Sequence, residues 1–357
     1  MNDTIRTLLP GLYQPLLPAV FDTEVPAEPK ATCSTCAMCP PKDAPPAAAD
    51  VTYFRPDSKC CTFEPRLPSY LVGAILADER PDLAEGRRRV RAKIAAKSGA
   101  TPQWLAPPAR REVLMGAGWR HGFGRSLLLL CPYFESDGGL CTIWRHREAV
   151  CSTFFCKYDS AADGEQFWRS VRALVGYVER VLSLHVTREL IPGYEPPVTT
   201  RDLTLEELED RAPSERDYQA LWGAWAFREE ELYLRAYELV RGLDRPRFQA
   251  ILADAEYEKR SATMTAAHTR ITSPALPRHL MPRPDLVARP TDGGVLVTTY
   301  SRYEPLLLTE ALHDVVQAFG GGGTVAEVRE RLLREEGIDV PEELLQGLYQ
   351  YRVLVEP

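Results

Sequence analysis

Cys33-Ser34-Thr35-Cys36-Ala37-Met38-Cys39-Pro40 sets three thiols at two-residue gaps inside a segment that also holds Pro41, Pro45, Pro46 and Pro56. Proline lacks a backbone N–H and fixes φ, so such a segment supports neither helix nor a paired strand. Two intervening residues is the spacing at which thiolates of one turn converge on a cation, as in zinc knuckles and iron–sulfur loops. Six further cysteines follow, at Cys60, Cys61, Cys131, Cys141, Cys151 and Cys156, and none occurs after that. A loop as long as 33–61 is uncommon without secondary structure of its own, and ligation at both ends would supply the missing restraint.

The bulk composition makes such a site a matter of chemistry. With 357 residues, 45% hydrophobic and 26% charged, the chain is long enough for two or three domains with ordinary cores, so cysteines are not needed as staples. A net charge of -7 disfavours nucleic acid and anionic membrane as partners, because phosphate neutralisation needs a basic surface. The densest basic run, Arg87 to Lys93, reads as a solvated helix face. Pro10, Gly11, Pro15 and Pro18 interrupt the leucines of the N-terminus, which therefore does not read as an export signal, and no window resembles a membrane span. The expected address is the reducing cytoplasm, where thiols and metal thiolates are stable.

Along the chain, residues 1–30 read as an extended, proline-punctuated arm. A helix is expected after Pro68, then a charged helix from Pro81 to about Ala96. Gly116, Gly118, Gly122 and Gly124 suggest a tight connection; they lack the order of a dinucleotide-binding loop. Leu127 to Phe134 and Leu140 to Trp144 flank Ser136-Asp137-Gly138-Gly139 and predict a hairpin that brings Cys131 and Cys141 together. Arg147 to Val150 is expected to form one helical turn delivering Cys151.

Beyond Asp163 the pattern becomes helical. Phe167, Val171, Leu174, Val175, Val178, Val181, Leu182 and His185 form a stripe at gaps of three and four, with His185 expected in the core. A second helix is expected through Tyr218 to Val240, with Trp222 and Trp225 in the bundle. A third runs from Arg245 to His268, antiparallel to the second across the turn at 242–244. A proline-rich linker precedes a hairpin about Asp292-Gly293-Gly294, three short helices and a last strand. Thr324 and Glu327 form a capping box within that piece. The expected class is mainly α (α+β): a Cys-rich irregular metal-binding region at 1–162, a helical bundle at 163–272, and a small winged-helix-like module at 286–357.

All nine cysteines are candidate ligands. On paper they divide into Cys33, Cys36 and Cys39 with Cys60 or Cys61, and Cys131, Cys141, Cys151 and Cys156, or the sets interleave or merge into one polynuclear centre. Zinc, iron and cubane iron–sulfur clusters all accept four thiolates, so spacing does not choose among them. The competing readings are buried thiols acting as small hydrophobes and redox-active disulfides. The first run is similar to the opening of a bacterial ferredoxin motif, but lacks its fourth cysteine.

The succession Cys-x2-Cys-x2-Cys, then Cys60-Cys61, Cys131-Pro-Tyr-Phe, Leu-Cys141-Thr-Ile-Trp and Cys151-Ser-Thr-Phe-Phe-Cys156 resembles the zinc- or iron-chelating CxxCxxCC family, which includes the flagellin lysine N-methylase group. In that family the vicinal pair closes the first motif directly; here it comes twenty residues later. The resemblance implies metal or iron–sulfur binding through these cysteines and, for one branch, methyl transfer to protein lysines. The C-terminal piece resembles PqqD-like winged-helix modules, which implies a protein or peptide partner held at a strand edge. An enzyme reading predicts a pocket lined by Arg120, His121, Arg145, His146 and Tyr158.

Overall fold

In the computed structural model, residues 3–26, 28, 36–40, 53–196 and 203–357 are described, without the side chains of 118–120, so Cys33 lies outside the described residues. Ile5, Leu9, Tyr13, Leu17 and Phe21, spaced four apart, are all buried. They are carried by a short helix α1 (Ile5–Leu8) and two 3-10 turns (Gln14–Leu16, Ala19–Asp22). This corrects the expected extended arm: the prolines break the segment into turns, but a large apolar side chain between successive breaks docks it onto the body. Arg6 ties the turns together through Asp22 at 2.6 Å and the Leu17 carbonyl at 3.1 Å. Glu28 accepts from the Trp168 indole N–H at 2.7 Å.

Leu67–Pro68 (β1) pairs with Trp104–Leu105 (β2) around two helices, α2 (Ser69–Ala77) and α3 (Ala84–Ala95). Every residue of α2 from Ser69 to Leu76 is buried, which makes it the central helix. Its glycine is there for closeness: a Cβ at Gly73 would lie 1.9 Å from the Tyr233 carbonyl oxygen. The expected tight connection around the glycines is instead helix α4 (Ala109–Gly122), which ends where Gly124 adopts φ +74°. The expected strand at 127–130 is a 3-10 turn with Leu128 89% exposed. Only Phe134–Glu135 (β3) and Leu140–Cys141 (β4) pair, about the expected turn, with Phe134 opposite Cys141. Helix α5 (Ala149–Thr153) carries Cys151, and the Glu148 carboxylate caps it by accepting from the N–H groups of Val150 and Cys151.

Helix α6 (Ala161–Leu190) runs for 30 residues and buries the predicted stripe. His185 is half-buried beside Glu189, Glu238 and Arg247, a correction to its core placement. After α7 (Leu205–Leu208), the expected second helix is broken into α8 (Glu215–Trp222) and α9 (Glu229–Arg241) by Gly223 at φ +53°. The expected third is broken into α10 (Arg245–Leu252) and α11 (Ala255–Thr272), the latter capped by the Asp254 side chain. The expected antiparallel pairing also gives way: α9 packs on α2, and α11 on α6. Trp222 is fully buried, and Trp225 donates its indole N–H to the Leu190 carbonyl at 3.1 Å. Two hydrophobic cores result, one joining residues 5–21 with α6 and α11, the other joining α2, α3 and the β3–β4 region with α8 and α9. Both draw on residues before and after position 162.

The C-terminal piece has its own core, built wholly from residues 276–354. Met281–Pro282 (β5) pairs with the last strand, while Ala288–Thr291 (β6), Gly294–Val297 (β7) and Leu306–Leu308 (β8) form a three-stranded antiparallel sheet. The turn at Asp292-Gly293 falls as predicted; β8 carried no hairpin signal and was not anticipated. Three helices follow, α12 (Glu310–Ala318), α13 (Val325–Glu336) and α14 (Glu342–Gln350), before Leu354–Val355 (β9). The capping box at Thr324 and Glu327 is present. The piece meets the body where Arg352 pairs with Asp163 at 3.1 Å and the Tyr300 hydroxyl accepts from the Tyr158 N–H at 3.2 Å. The chain is thus mainly helical with a few small sheets. Among the described residues, no helix is long and apolar enough to cross a membrane.

Candidate metal centre

The eight described cysteines are all thiols outside any disulfide, and only Cys131 is fully buried. They gather in two groups. Cys36, Cys39, Cys60 and Cys156 pack around Met38, Phe54 and Phe123, with Phe63, Phe154 and Tyr303 completing the wall. The first two sit on one turn, closed by the Cys39 N–H donating to the Cys36 carbonyl at 3.0 Å. The segment around Cys60 is a run of turns in which the Ser58 hydroxyl donates to the Gly124 carbonyl at 3.1 Å and Lys59 adopts φ +50°. Gly124 admits no side chain, since a Cβ there would meet the Phe54 ring at 2.2 Å. Edge-to-face contacts of Phe123 with Phe54 and Phe154, at 5.2 and 5.5 Å, exclude water from one side of the group.

Cys61, Cys131, Cys141 and Cys151 form the second group. The Cys131 N–H donates to the Cys61 carbonyl at 2.7 Å, the hairpin sets Cys141 opposite Phe134, and α5 delivers Cys151, which is raised in part by Cys131 and Cys141. The two groups meet at the vicinal pair, where the Cys61 thiol helps to raise Cys60. In an extended segment these side chains would point apart. Here the pair lies in a run of turns, with Cys60 packed on the first cluster and Cys61 on the second core.

Electrostatics favour the protonated thiols in the chain as it stands. Burial, followed by the neighbouring Cys36, pushes Cys39 up to about 12, opposed by the Lys59 ammonium. The Cys61 hydrogen bond and then burial raise Cys60. Burial raises Cys131, with further pushes from Cys141 and Glu64; burial and then the Glu148 carboxylate raise Cys151. Behind the second group lie two buried carboxylates: Glu148, which caps α5, and Glu179 on α6, which accepts from the Tyr13 hydroxyl at 3.0 Å and the Ala149 N–H at 2.9 Å. Burial raises both, and Glu148 raises Glu179 further.

As arranged, no three His, Cys, Asp or Glu side chains among the described residues converge closely enough to hold an ion. Cysteine sulfur is the donor type that zinc, iron and iron–sulfur clusters take, and these sulfurs lie in a half-buried apolar setting.

The packing of the cysteines follows the interleaved arrangement that the sequence leaves open. Cys156 joins the first group rather than the second, and Cys61 takes its place in the second. The polar residues expected to share a pocket do not. His146 is buried against Asp78 at 2.9 Å, Arg145 pairs with Asp82 at 3.3 Å, and Tyr158 is buried. The Arg120 side chain is outside the described residues. Sequence reading missed Glu64, 2% exposed and held by Lys93 and by Arg111 at 2.8 Å. It also missed Glu179, although its place between Val175 and Leu182 on the apolar stripe was a signal.

Fold and site together define a class: a mainly helical chain bearing two adjoining groups of cysteine thiols, with a separately cored C-terminal module. No family model, no curated protein and no solved structure matches the chain.

Proposed function

We propose that this chain is a metal-binding protein holding zinc or iron, the latter as ions or as an iron–sulfur cluster, through two thiolate groups: Cys36, Cys39, Cys60 and Cys156, and Cys61, Cys131, Cys141 and Cys151. Cys33 is a further candidate for the first group. The observation that supports the reading is that Cys36, Cys39, Cys60 and Cys156, from three separated stretches, pack against one small aromatic cluster, while burial raises the thiol of Cys39. A bound cation would reverse that penalty, because a coordinating thiol is held as thiolate. The bound group would supply electron transfer if iron–sulfur and structural cross-linking if zinc. Lys59, whose Nζ donates to the Gly139 carbonyl at 2.6 Å, offsets negative charge near Cys39.

In this reading residues 1–162 carry the centre in the cytoplasm, supported by the helices of 163–272. Residues 286–357 form a winged-helix-like module. A peptide partner of that module would add at β8, because Pro290 removes a donor from the other edge strand, β6.

The test is anaerobic purification with metal analysis and an absorption spectrum, on the parent and on Cys36→Ser, Cys131→Ser and Cys156→Ser. Broad visible absorption with iron supports a cluster, and a colourless protein with stoichiometric zinc supports the zinc form. Cys36→Ser and Cys156→Ser should deplete the same group, and Cys131→Ser the other. Parent protein free of both metals, or equal metal content in all variants, refutes the proposal.

A further inference from the structure

The C-terminal module supplies part of the wall of the first thiol group. Its loop 298–305, between β7 and β8, carries Tyr303, whose ring packs edge-to-face on Phe54 with centroids 5.6 Å apart, in the same cluster as Cys36, Cys39, Cys60 and Cys156. Three residues earlier in the loop, the Tyr300 hydroxyl accepts from the N–H of Tyr158, two positions past Cys156, and the two rings stand 6.4 Å apart. The loop therefore touches the group at two places: the Phe54 ring and the segment that carries the last cysteine.

Bonds within the loop fix its shape and present Tyr303. Thr299 is buried, and its hydroxyl donates to the Glu304 carbonyl at 2.6 Å while accepting from the Ser301 N–H at 3.2 Å. The Ser301 hydroxyl accepts from the Tyr303 N–H at 3.2 Å, and the Tyr300 hydroxyl donates to the Glu304 carboxylate at 2.6 Å. Short side-chain-to-backbone bonds of this kind hold a turn together without a ladder. The Arg302 guanidinium lies over the Tyr303 ring, 4.7 Å from its centroid. The module's own core is built from 276–354 alone, so moving the module away leaves that core intact. Joints such as Arg352 with Asp163 at 3.1 Å and Tyr300 with Tyr158 are polar, the kind of contact across which two parts of one chain move.

We infer that loop 298–305 is a lid on the first thiol group, with Tyr303 as its plug, and that undocking of the C-terminal module opens Cys36, Cys39, Cys60 and Cys156 to a soft metal ion or to its carrier. The inference rests on the grouping of these four cysteines and not on what they bind. It is tested without metal, so its failure is separate from the failure of the metal reading.

The experiment is N-ethylmaleimide labelling of the reduced, metal-free full chain at one pH, followed cysteine by cysteine by peptide mass spectrometry, in the parent and in Tyr303→Ala, Tyr300→Phe and Arg352→Ala. Tyr303→Ala should speed labelling of the four thiols about tenfold, because it removes the ring that closes the group and so favours local opening. Tyr300→Phe keeps the ring but removes the hydroxyl that meets Tyr158, and Arg352→Ala breaks the pair with Asp163; each should speed the same four severalfold. Cys131, Cys141 and Cys151 are the control, and their rates should stay within about twofold of the parent, as expected of sites that share no partner with the substitution. General loosening would speed both groups alike, and that result overturns the lid. So do unchanged rates at the four thiols in variants whose circular dichroism matches that of the parent.

Discussion

Replacing Glu64 by Gln should destabilise the chain far more than any surface charge change of equal size. Its carboxylate is 2% exposed, and its partners Lys93 and Arg111 are 9% and 14% exposed, so all three charges are withdrawn from water. Removing one partner of a buried pair leaves the others uncompensated, at a cost of about 3–5 kcal/mol. Here one carboxylate serves two cations, and Gln keeps only one acceptor, so the upper half of that range is expected. The internal control is Arg66–Glu112, at 2.6 Å but 46% and 42% exposed, where Glu112→Gln should cost no more than about 1 kcal/mol. Urea unfolding at neutral pH in reducing, metal-free buffer measures both. Adding Lys93→Met to Glu64→Gln should recover part of the loss by removing one stranded cation, and added salt should leave the Glu64→Gln effect largely unchanged because buried charges are poorly screened. Since Glu64 pushes the Cys131 thiol up and Arg111 pulls it down, the variant should also ionise Cys131 at lower pH. A Glu64→Gln cost no greater than that of Glu112→Gln would refute the reasoning.

Three further outcomes are expected. Gly124→Ala should cost about 2–5 kcal/mol in unfolding experiments, from the strain of φ +74° and the clash of its Cβ with Phe54, and should loosen the first thiol group so that metal content falls. Glu179→Gln should stabilise the chain more at pH 8 than at pH 5. The Glu179 pKa is raised, so its contribution is fullest below the ordinary carboxylate value of about 4.3 and is lost as pH rises; denaturation midpoints across that window check the sign. Burial lowers the His146 pKa, so the native state resists its protonation and stability should fall as pH drops below about 6.5, a slope that His146→Gln should flatten.

How much of this was legible in the sequence follows from the range of the interactions involved. The stripe from Phe167 to Leu182, the cap at Thr324 and the turn at Asp292-Gly293 are local patterns, and each is present. Helix breaks were harder. Gly223 and Asp254 interrupt runs of apolar residues whose periodicity continues across the break, so the pattern alone joined what the backbone separates. The N-terminal turns misled for the converse reason: prolines marked the breaks correctly, while the spacing of Ile5, Leu9, Tyr13, Leu17 and Phe21 needed a partner surface to show its meaning. The grouping of the cysteines was least legible, because it depends on segments more than 90 residues apart, such as those of Cys60 and Cys156, packing on one cluster of Met38, Phe54 and Phe123.

That partition rests on the vicinal pair, and the pair has a chemical consequence. A turn at residues 58–61 sends Cys60 to the aromatic wall of the first group and Cys61 to the core that holds the second, with the Cys61 thiol still raising Cys60. Each group is therefore within electrostatic reach of the other. Thiols held protonated by burial, such as Cys39, Cys60, Cys131 and Cys151, must release their protons to bind a cation, so apparent metal affinity should rise with pH, by up to about tenfold per unit for each proton released. Filling one group puts net charge beside the other through Cys60 and Cys61. Competition titrations with a zinc chelator at pH 6.5 and 7.5 should then show two binding steps that both steepen with pH and that separate further in Cys60→Ser than in the parent. Two steps independent of pH would mean that the thiols are already ionised, and the electrostatic account of the site would fall with them.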